Sequence, residues 1–576
     1  MMHGGGKSDP AIVVRKPTNN AEQSAAEPVE RRAGTKGNAN QHDTHRTPSR
    51  ASVTQGLERI RLTAKERKKE RFTALLHHIS TDLLEAEFFA LKEHAAAGVD
   101  GLTWRNYEQN LEGNLADLHA RVHRGAYRPL PSRRVHIPKP DGGQRPLAVA
   151  ALEDKIVQRA TAVVLNAIYE EDFLGFSYGF RPRRGAHDAL DALVVAIERR
   201  RVNFIVDADI RSFFDTVSQD WLIRFVEHRI GDRRIIRLIR KWLRAGVLED
   251  GIVTVSERGT AQGAVISPLL ANIYLHYALD LWAERYRRRE TTGDMIIVRY
   301  ADDFIVGFEH EADARRFLDA LRQRLAEFAL SLHSEKTRLI EFGRFAAANR
   351  KRRGLGKPET FDFLGFTFIC GKSRRGKFLI KRKSRQDRMR AKLQAIKQEL
   401  RRRTHQPIPR QAKWLAQVIR GYFNYHAVPT NRRALASFRD EIVRAWWRRL
   451  NRRGQRRPLV WERMKKLADD WLPRPHILHP WPNQQFAVRH PRWEPYAGKP
   501  HVRCGGRSAM SVPTATPRAL RPGGVPTRIV APAVRTSKFK EGRVGTQRED
   551  APLCPPYSAP ANSRPYPLIG ACTPAR

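Results

Sequence analysis

The amino-acid sequence predicts an α+β fold, and three observations carry that prediction. Two short runs rich in apolar and β-branched residues, 204–210 (FIVDADI) and 295–308 (MIIVRYADDFIVGF), have the composition of strands, and the second can fold back on itself between Tyr300 and Asp303. Stretches with apolar residues at helical spacing separate these runs. After residues 361–368 (FDFLGFTF) strand patterns cease and helical periodicity alone continues. The expectation is a first part built on an antiparallel sheet, followed by an α-helical second part.

Taken in order, residues 1–55 are rich in Gly, Ala, Asn, Ser, Thr and charge without apolar period, and read as a disordered leader. From about residue 70 a helix is expected, with Leu84, Phe88 and Leu91 on one face, until Gly98-Val-Asp-Gly101 breaks it. Residues 133–145 (RRVHIPKPDGGQR) form a hairpin pattern turning at Asp141-Gly142-Gly143, with Lys139 and Arg145 flanking a basic tip. Helices are expected over about 152–169 and from His187, where Leu190, Leu193, Val194 and Ile197 share a face. Residues 258–270 (RGTAQGAVISPLL) make a glycine-punctuated loop running into a helix through Asn272, Tyr274 and Leu279. A further helix is expected over 311–330, and Ser334-Glu-Lys336-Thr337-Arg338 then leads into a short strand.

Composition narrows the partners. Lys and Arg number 106 against 60 Asp and Glu, a formal charge of +46, far beyond what solubility asks for, so a polyanion is the expected partner. The excess is concentrated: residues 372–465 carry 30 Lys and Arg against five Asp and Glu. There Met389, Leu393, Ile396 and Leu400 mark one helix, and Leu435, Phe438, Ile442, Trp446 and Leu450 mark another, whose opposite face carries Arg432, Arg433, Arg439 and Arg444. A merely solvated face would mix its signs. No run approaches the roughly 18 uninterrupted apolar residues of a spanning helix and no secretion signal is seen at the start, so an intracellular, cytoplasmic protein with no membrane partner is expected. The four cysteines are isolated and indicate neither a disulfide framework nor a zinc site. Twelve of the 35 prolines fall in the patternless residues 501–576, which read as a disordered tail.

The acids in the strand runs carry the chemistry. Asp209 ends one strand run and Asp302 and Asp303 sit at the bend of another, where bare carboxylates cost several kcal/mol (roughly) unless something positive pairs with them. A divalent cation is the natural partner, and hard oxygen ligands suit magnesium. Two such ions about 3.5 to 4 Å apart would serve an in-line phosphoryl transfer. The plainer reading, that Asp is simply common in turns, accounts for one acid more readily than for three.

Tyr300-Ala-Asp-Asp303 resembles the signature of reverse transcriptases, and Asp209 through Asp215 resembles their first palm motif. More narrowly, the chain resembles the group II intron-encoded reverse transcriptase/maturase family over about 70–490. Gly98-Val-Asp-Gly101, IPKPDGGQRPL, Leu152-Glu-Asp-Lys155, Ser177-Tyr-Gly-Phe-Arg-Pro182, Ala261-Gln-Gly-Ala264 with Ser267-Pro-Leu-Leu-Ala-Asn272, Glu335-Lys-Thr337 and Phe363-Leu-Gly-Phe366 occur in that order. The resemblance implies a right-hand polymerase: fingers and palm over 56–376, then a helical thumb and RNA-binding maturase domain over 377–490, with 491–576 as a Pro-rich tail. It implies that Asp209, Asp302 and Asp303 hold two Mg2+ ions, helped by the backbone carbonyl of Ile210. Lys139 and Arg145 would contact the incoming deoxynucleoside triphosphate, Phe214 would exclude a 2′-hydroxyl, Gln262 would line the same pocket, and Lys336 would protonate the departing pyrophosphate. The implied partners are an RNA template with a DNA primer, the group II intron RNA and a DNA target, in a ribonucleoprotein. Gly421-Tyr-Phe-Asn-Tyr425, Trp446-Trp447 and Pro475-His-Ile-Leu-His-Pro480 carry the maturase likeness, with Trp414, Tyr422, Tyr425 and Trp461 interleaved among arginines. The sequence departs from the family at Ala148, Ala261 and Ala264, where Gly, Pro and Gly are usual. Two other readings compete: a non-enzymatic splicing factor with a vestigial polymerase domain, which would be expected to lose the costly acids, and a retron-type reverse transcriptase, which would lack the basic helical segment.

Overall fold

The computed structural model describes residues 46–138, 143–249, 251–255, 258–260, 263–453 and 458–484. Helix α1 (Arg46–Glu66) begins inside the stretch read as a disordered leader, because Ile60 and Ala64 have a core in which to bury. Helices α2 (Thr81–Phe89), α3 (Trp104–Glu108) and α4 (Leu111–Arg124) follow; Ser80 caps α2 by accepting from the Leu83 amide, and Gly125 ends α4 in the left-handed conformation. Strands β1 (Ser132–Pro138) and β2 (Gln144–Val149) form the expected basic hairpin.

Next come α5 (Leu152–Asp172), α6 (Ala186–Arg199), β3 (Phe204–Asp209), the one-turn α7 (Phe213–Thr216), α8 (Gln219–Arg229) and α9 (Arg233–Arg244). A small hairpin of β4 (Val247–Glu249) and β5 (Ile252–Thr254) precedes α10 (Ser267–Leu275), which passes through a π-helical turn, His276–Asp280, into α11 (Leu281–Arg289). The acidic hairpin is β6 (Met295–Tyr300) and β7 (Asp303–Phe308). Then follow α12 (Glu311–Glu327), β8 (Arg338–Glu341), α13 (Ala346–Arg352), β9 (Phe361–Phe363), β10 (Phe366–Lys372) and β11 (Phe378–Ser384). Last come α14 (Gln386–Arg402), α15 (Ile408–His426), α16 (Arg432–Asn451) and α17 (Trp461–Trp471).

The strands form three sheets, ordered β2-β1-β4-β5, β6-β7-β3-β8 and β11-β10-β9. The central sheet is antiparallel throughout and covered on both faces, which is why its strands read as nearly unbroken apolar runs. Alternate residues serve different cores: Val206, Ile297, Phe304 and Val306 join one with the flanking helices, whereas Ile205, Ile296, Val298 and Ile305 pack beneath α6. By the same alternation Asp207, Asp209 and Asp303 lie on the α6 face of the sheet, each half-buried.

The helical second part starts later than expected. Residues 378–384 are strand β11, hydrogen-bonded along the full length of β10, so the helices begin only at Gln386. Helices α14 to α17 then enclose a core of their own around Leu415, Phe438 and Trp446.

Candidate active site

Strand register brings the acids together. Asp209, the last residue of β3, pairs across the antiparallel ladder with Asp303, the first residue of β7, and Tyr300 pairs with Asp303 across the hairpin. Ala301 takes a left-handed φ of 56°, so the two-residue turn sets Asp302 beside its neighbour at the sheet's open end. All three carboxylates are half-buried. Just beyond β3, Ile210 bridges Leu332 through bonds from the His333 amide to the Asp209 carbonyl (2.8 Å) and from the Arg211 amide to the Ser331 carbonyl (2.9 Å). The Ile210 carbonyl takes no part in that pairing.

Cations of the chain already sit on this acidic face. Lys336 Nζ lies 2.8 Å from Asp209 Oδ2, and Arg338 lies 3.2 Å from Asp207. Burial pushes the Asp207 carboxyl up to about 6, against the bond from Arg338, and the nearby charges of Asp362 and Asp209 push the same way. Among the described residues no three His, Cys, Asp or Glu side chains form a ready metal cage. Magnesium does not ask for one, since it is commonly held by one or two carboxylates with waters and substrate phosphates filling the rest. The donor set therefore fits a hard cation, and the Lys336 ammonium on Asp209 marks where positive charge is accepted.

A buried polar network fixes the turn. Arg299, one residue before Tyr300, is fully buried, and all five of its N–H groups are used. They reach both oxygens of the equally buried Asp280 (2.7 Å from Nε to Oδ1), Asn272 Oδ1 (3.1 Å), Ser177 Oγ (2.7 Å) and the carbonyl of Ala301 (2.9 Å). Asp280 closes the π-helical turn, whose extra residue re-aims the side chains that follow. Asn272 also donates to the Gly179 carbonyl at 2.7 Å. A Cβ on Gly179 would come within 2.3 Å of the Ala301 amide, so only glycine lets that loop lie against the turn. Ser177, Gly179 and Asn272 belong to motifs visible in the sequence, whereas Arg299 and Asp280 did not stand out there. An arginine inside a buried strand run was the available signal.

Phe214, the residue expected at the sugar, lies in α7, half-buried against the main core and edge-to-face with Phe213 at 5.4 Å. Thr260 donates to the Phe214 carbonyl (2.8 Å), and a Cβ on Gly259 would meet that same carbonyl at 2.8 Å. Gly263, at φ 111°, packs as closely on the backbone of the buried Ala148, tying the loop to β2. Gln158 of α5, another residue without a sequence signal, accepts the Val265 amide at 2.9 Å. Arg145 sits near the start of β2, opposite Ile137. Lys139 and Gln262, and the Asp141-Gly142 turn, lie outside the described residues.

The four arginines of α16 divide. Arg432 and Arg433 are exposed, and Arg444 is exposed beside Glu441 at 2.9 Å. Arg439 is not on an open face, which corrects its expected role. Its guanidinium donates to the Pro473 and Ala468 carbonyls (3.1 and 3.0 Å) and to Asp469 (2.8 Å), clamping the end of α17. The interleaved aromatics are mostly structural as well: Tyr422 stacks on Phe438 at 3.7 Å, Tyr425 donates to the Leu364 carbonyl at 2.8 Å, and Trp461 packs edge-on against Trp447.

Two acids in register on the adjacent antiparallel strands β3 and β7, with a third in the β6–β7 turn, are an arrangement that fits a polymerase palm. In agreement, the family described as reverse transcriptase (RNA-dependent DNA polymerase) matches residues 137–368. Protein YkfC of Escherichia coli is 32% identical over 332 residues, covering 52% of this chain and 83% of that protein. Group II intron-encoded protein LtrA of Lactococcus lactis is 34% identical over 222 residues, 38% of this chain and 37% of LtrA. An uncharacterized 91 kDa protein in a cob intron of Schizosaccharomyces pombe is 42% identical over 157 residues, covering 27% and 19%. The chain belongs to the group II intron-encoded reverse transcriptase/maturase family. It spans most of YkfC and little more than a third of LtrA. Among the described residues no helix is long and apolar enough to cross a membrane.

Proposed function

We propose that the chain is an RNA-directed DNA polymerase that binds its group II intron RNA, assists its splicing and copies it into DNA at a target. The observation that carries this reading is the register of Asp209 against Asp303 with Asp302 in the adjoining turn, supported by the family match. In this reading Asp209, Asp302, Asp303 and the Ile210 carbonyl hold two Mg2+ ions. Bound there, the ions supply Lewis acidity to the attacking 3′-hydroxyl and to the leaving oxygen. The chain's own side chains do the rest. Lys336, an ion-pair length from Asp209, donates a proton to the departing pyrophosphate. Lys139 and Arg145 neutralise the triphosphate, Gln262 lines its pocket, and the Phe214 ring occupies the space a 2′-hydroxyl would need. Arg432, Arg433 and Arg444 contact phosphates of the intron from the exposed side of α16.

Primer extension on an RNA template tests the reading. The unaltered chain is expected to extend a DNA primer with deoxynucleotides in the presence of Mg2+. The double variant Asp302→Asn, Asp303→Asn is expected to lose extension while keeping intron RNA affinity within a few-fold. Splicing assistance from an unaltered chain that never extends a primer would instead favour the non-enzymatic splicing factor.

A further inference from the structure

Away from the acidic face, α9 presents a surface that the polymerase reading leaves unused. Six of its twelve residues are cationic and none is acidic; Ile235, Leu238, Ile239 and Trp242 face the core, so the charges share the outer side. From Arg233 to Arg244 the stripe extends about 16 Å along the helix axis. Opposite it runs the extended segment that leaves α4, and between the two lies a groove of about 500 Å³. Its walls bring Arg128, Arg237, Arg240, Lys241 and Arg244 together over Pro129 and Pro131.

The groove is built in advance. Tyr127 is buried, its hydroxyl is bonded to Asp154, and Trp242 Nε1 donates to that hydroxyl at 3.0 Å. The Leu130 amide donates to the same Asp154 at 3.0 Å, and Lys241 holds the Gly125 carbonyl at 3.0 Å. Asp154 is itself buried and spent on these bonds, so it does not neutralise the groove. Arg240 pairs with Glu227 at the rim, but among the described residues Arg128, Arg237 and Arg244 have no carboxylate partner. Burial, with Arg237 and Arg128 adding repulsion, holds the Lys241 ammonium below its usual pKa. Like charges gathered this closely gain nothing for the fold, and a run of phosphates would relieve them.

The lining also discriminates among nucleic acids. Among the described residues it offers no aromatic face on which an unpaired base could stack and no carboxylate or side-chain amide to read a base edge, and single-strand binders rely on such platforms. Phosphate contact without base contact is how paired RNA is held. We propose that the groove between α9 and residues 127–131 grips the phosphate backbone of a double-helical segment of RNA, independently of the polymerase centre. The choice of RNA over DNA rests on the function proposed above.

The experiment uses the full-length chain and the triple variant Arg128→Gln, Arg237→Gln, Arg244→Gln. Affinity for a blunt RNA duplex without a primer terminus is measured by fluorescence anisotropy across a salt series, beside single-stranded RNA and a DNA duplex of the same sequence. The expected result is weaker duplex RNA binding, with the slope of log affinity against log salt reduced by about two to three, since each arginine on a phosphate releases a counterion. Single-stranded RNA and duplex DNA should lose less. A control triple, Arg288→Gln, Arg315→Gln, Arg322→Gln, removes three exposed arginines already paired within their helices and should change the slope by less than one. Should the triple variant fold poorly, Arg237→Gln and Arg244→Gln singly should each lower the slope by about one. An unchanged slope, an equal effect of the control, or equal losses on single-stranded RNA or duplex DNA would overturn the proposal. Because binding is read without catalysis, a chain inactive in primer extension would count against the polymerase reading while the groove still stands or falls on its own slope.

Discussion

The acidic hairpin of the palm and the helical part from α14 to α17 are both well buried, but they are held by different physics. Behind the hairpin the decisive contacts are directional: Arg299 uses five N–H groups to fix Asp280, Asn272, Ser177 and the Ala301 carbonyl. The helical part is held mainly by area and shape, with Trp446 fully buried among Leu435, Phe438 and Ile442, while its polar contacts, such as Trp446 Nε1 to Gln411 Oε1 at 2.9 Å and the Arg439 clamp on α17, tie helices and their ends together. Apolar packing sets helix positions yet tolerates small shifts, which suits a scaffold for exposed arginines. A turn that must hold two carboxylates beside a third tolerates much less, and a buried, saturated hydrogen-bond network is the kind of contact that specifies an angle.

The largest expected effect falls on the helical side. Trp446→Ala should destabilise the chain by about 3 to 5 kcal/mol through the cavity it leaves. Denaturation would show this as a shifted midpoint, while the rate of nucleotide addition per folded molecule should stay within a few-fold. A smaller effect is expected at Phe214. Phe214→Val should reduce discrimination against ribonucleotides by about tenfold to two-hundredfold, read by direct competition, and an unchanged ratio would return the ring to a purely packing role. The smallest concerns His276, in the π-helical turn behind the network. Burial lowers its pKa to about 4, against the ordinary 6.5, with Arg299 lowering it further and Asp280 opposing. The unfolded chain therefore takes up this proton first, so the contribution is intact above pH 6.5 and is lost as pH falls toward 4. His276→Phe should flatten the fall in stability between pH 6.5 and 5 by on the order of 1 kcal/mol, measured by denaturation at each pH.

Much of this arrangement is legible in the residues. The nearly unbroken apolar runs of 204–210 and 295–308 specify strands covered on both faces, and Asp209, Asp302 and Asp303 declare themselves because acids interrupt those runs. Lys336 is also legible as a site residue, though its pairing with Asp209 needs β8 to be placed beside β3. Less visible are contacts that join distant segments. Arg299 stands inside an apolar run with no partner visible in the sequence until the π-helical turn delivers Asp280, and helical periodicity gives no warning of that extra residue. Arg439 shares a helical face with Arg432, but only the return of the chain through α17 shows that its guanidinium is engaged. The β11 strand is obscured by its basic residues, because Lys381 and Lys383 face outward while Ile380 and Arg382 turn inward.

The most direct test of whether the saturated buried network positions the acidic turn for the proposed chemistry is single-turnover nucleotide addition by Arg299→Lys. Lysine keeps a positive charge near Asp280 but cannot also reach Asn272, Ser177 and the Ala301 carbonyl. The expected rate of addition is lower by about tenfold to a hundredfold, with the KM for the deoxynucleotide within a few-fold, as small misplacements of reacting groups produce. A stably folded variant that adds nucleotides at the parental rate would contradict that positioning role.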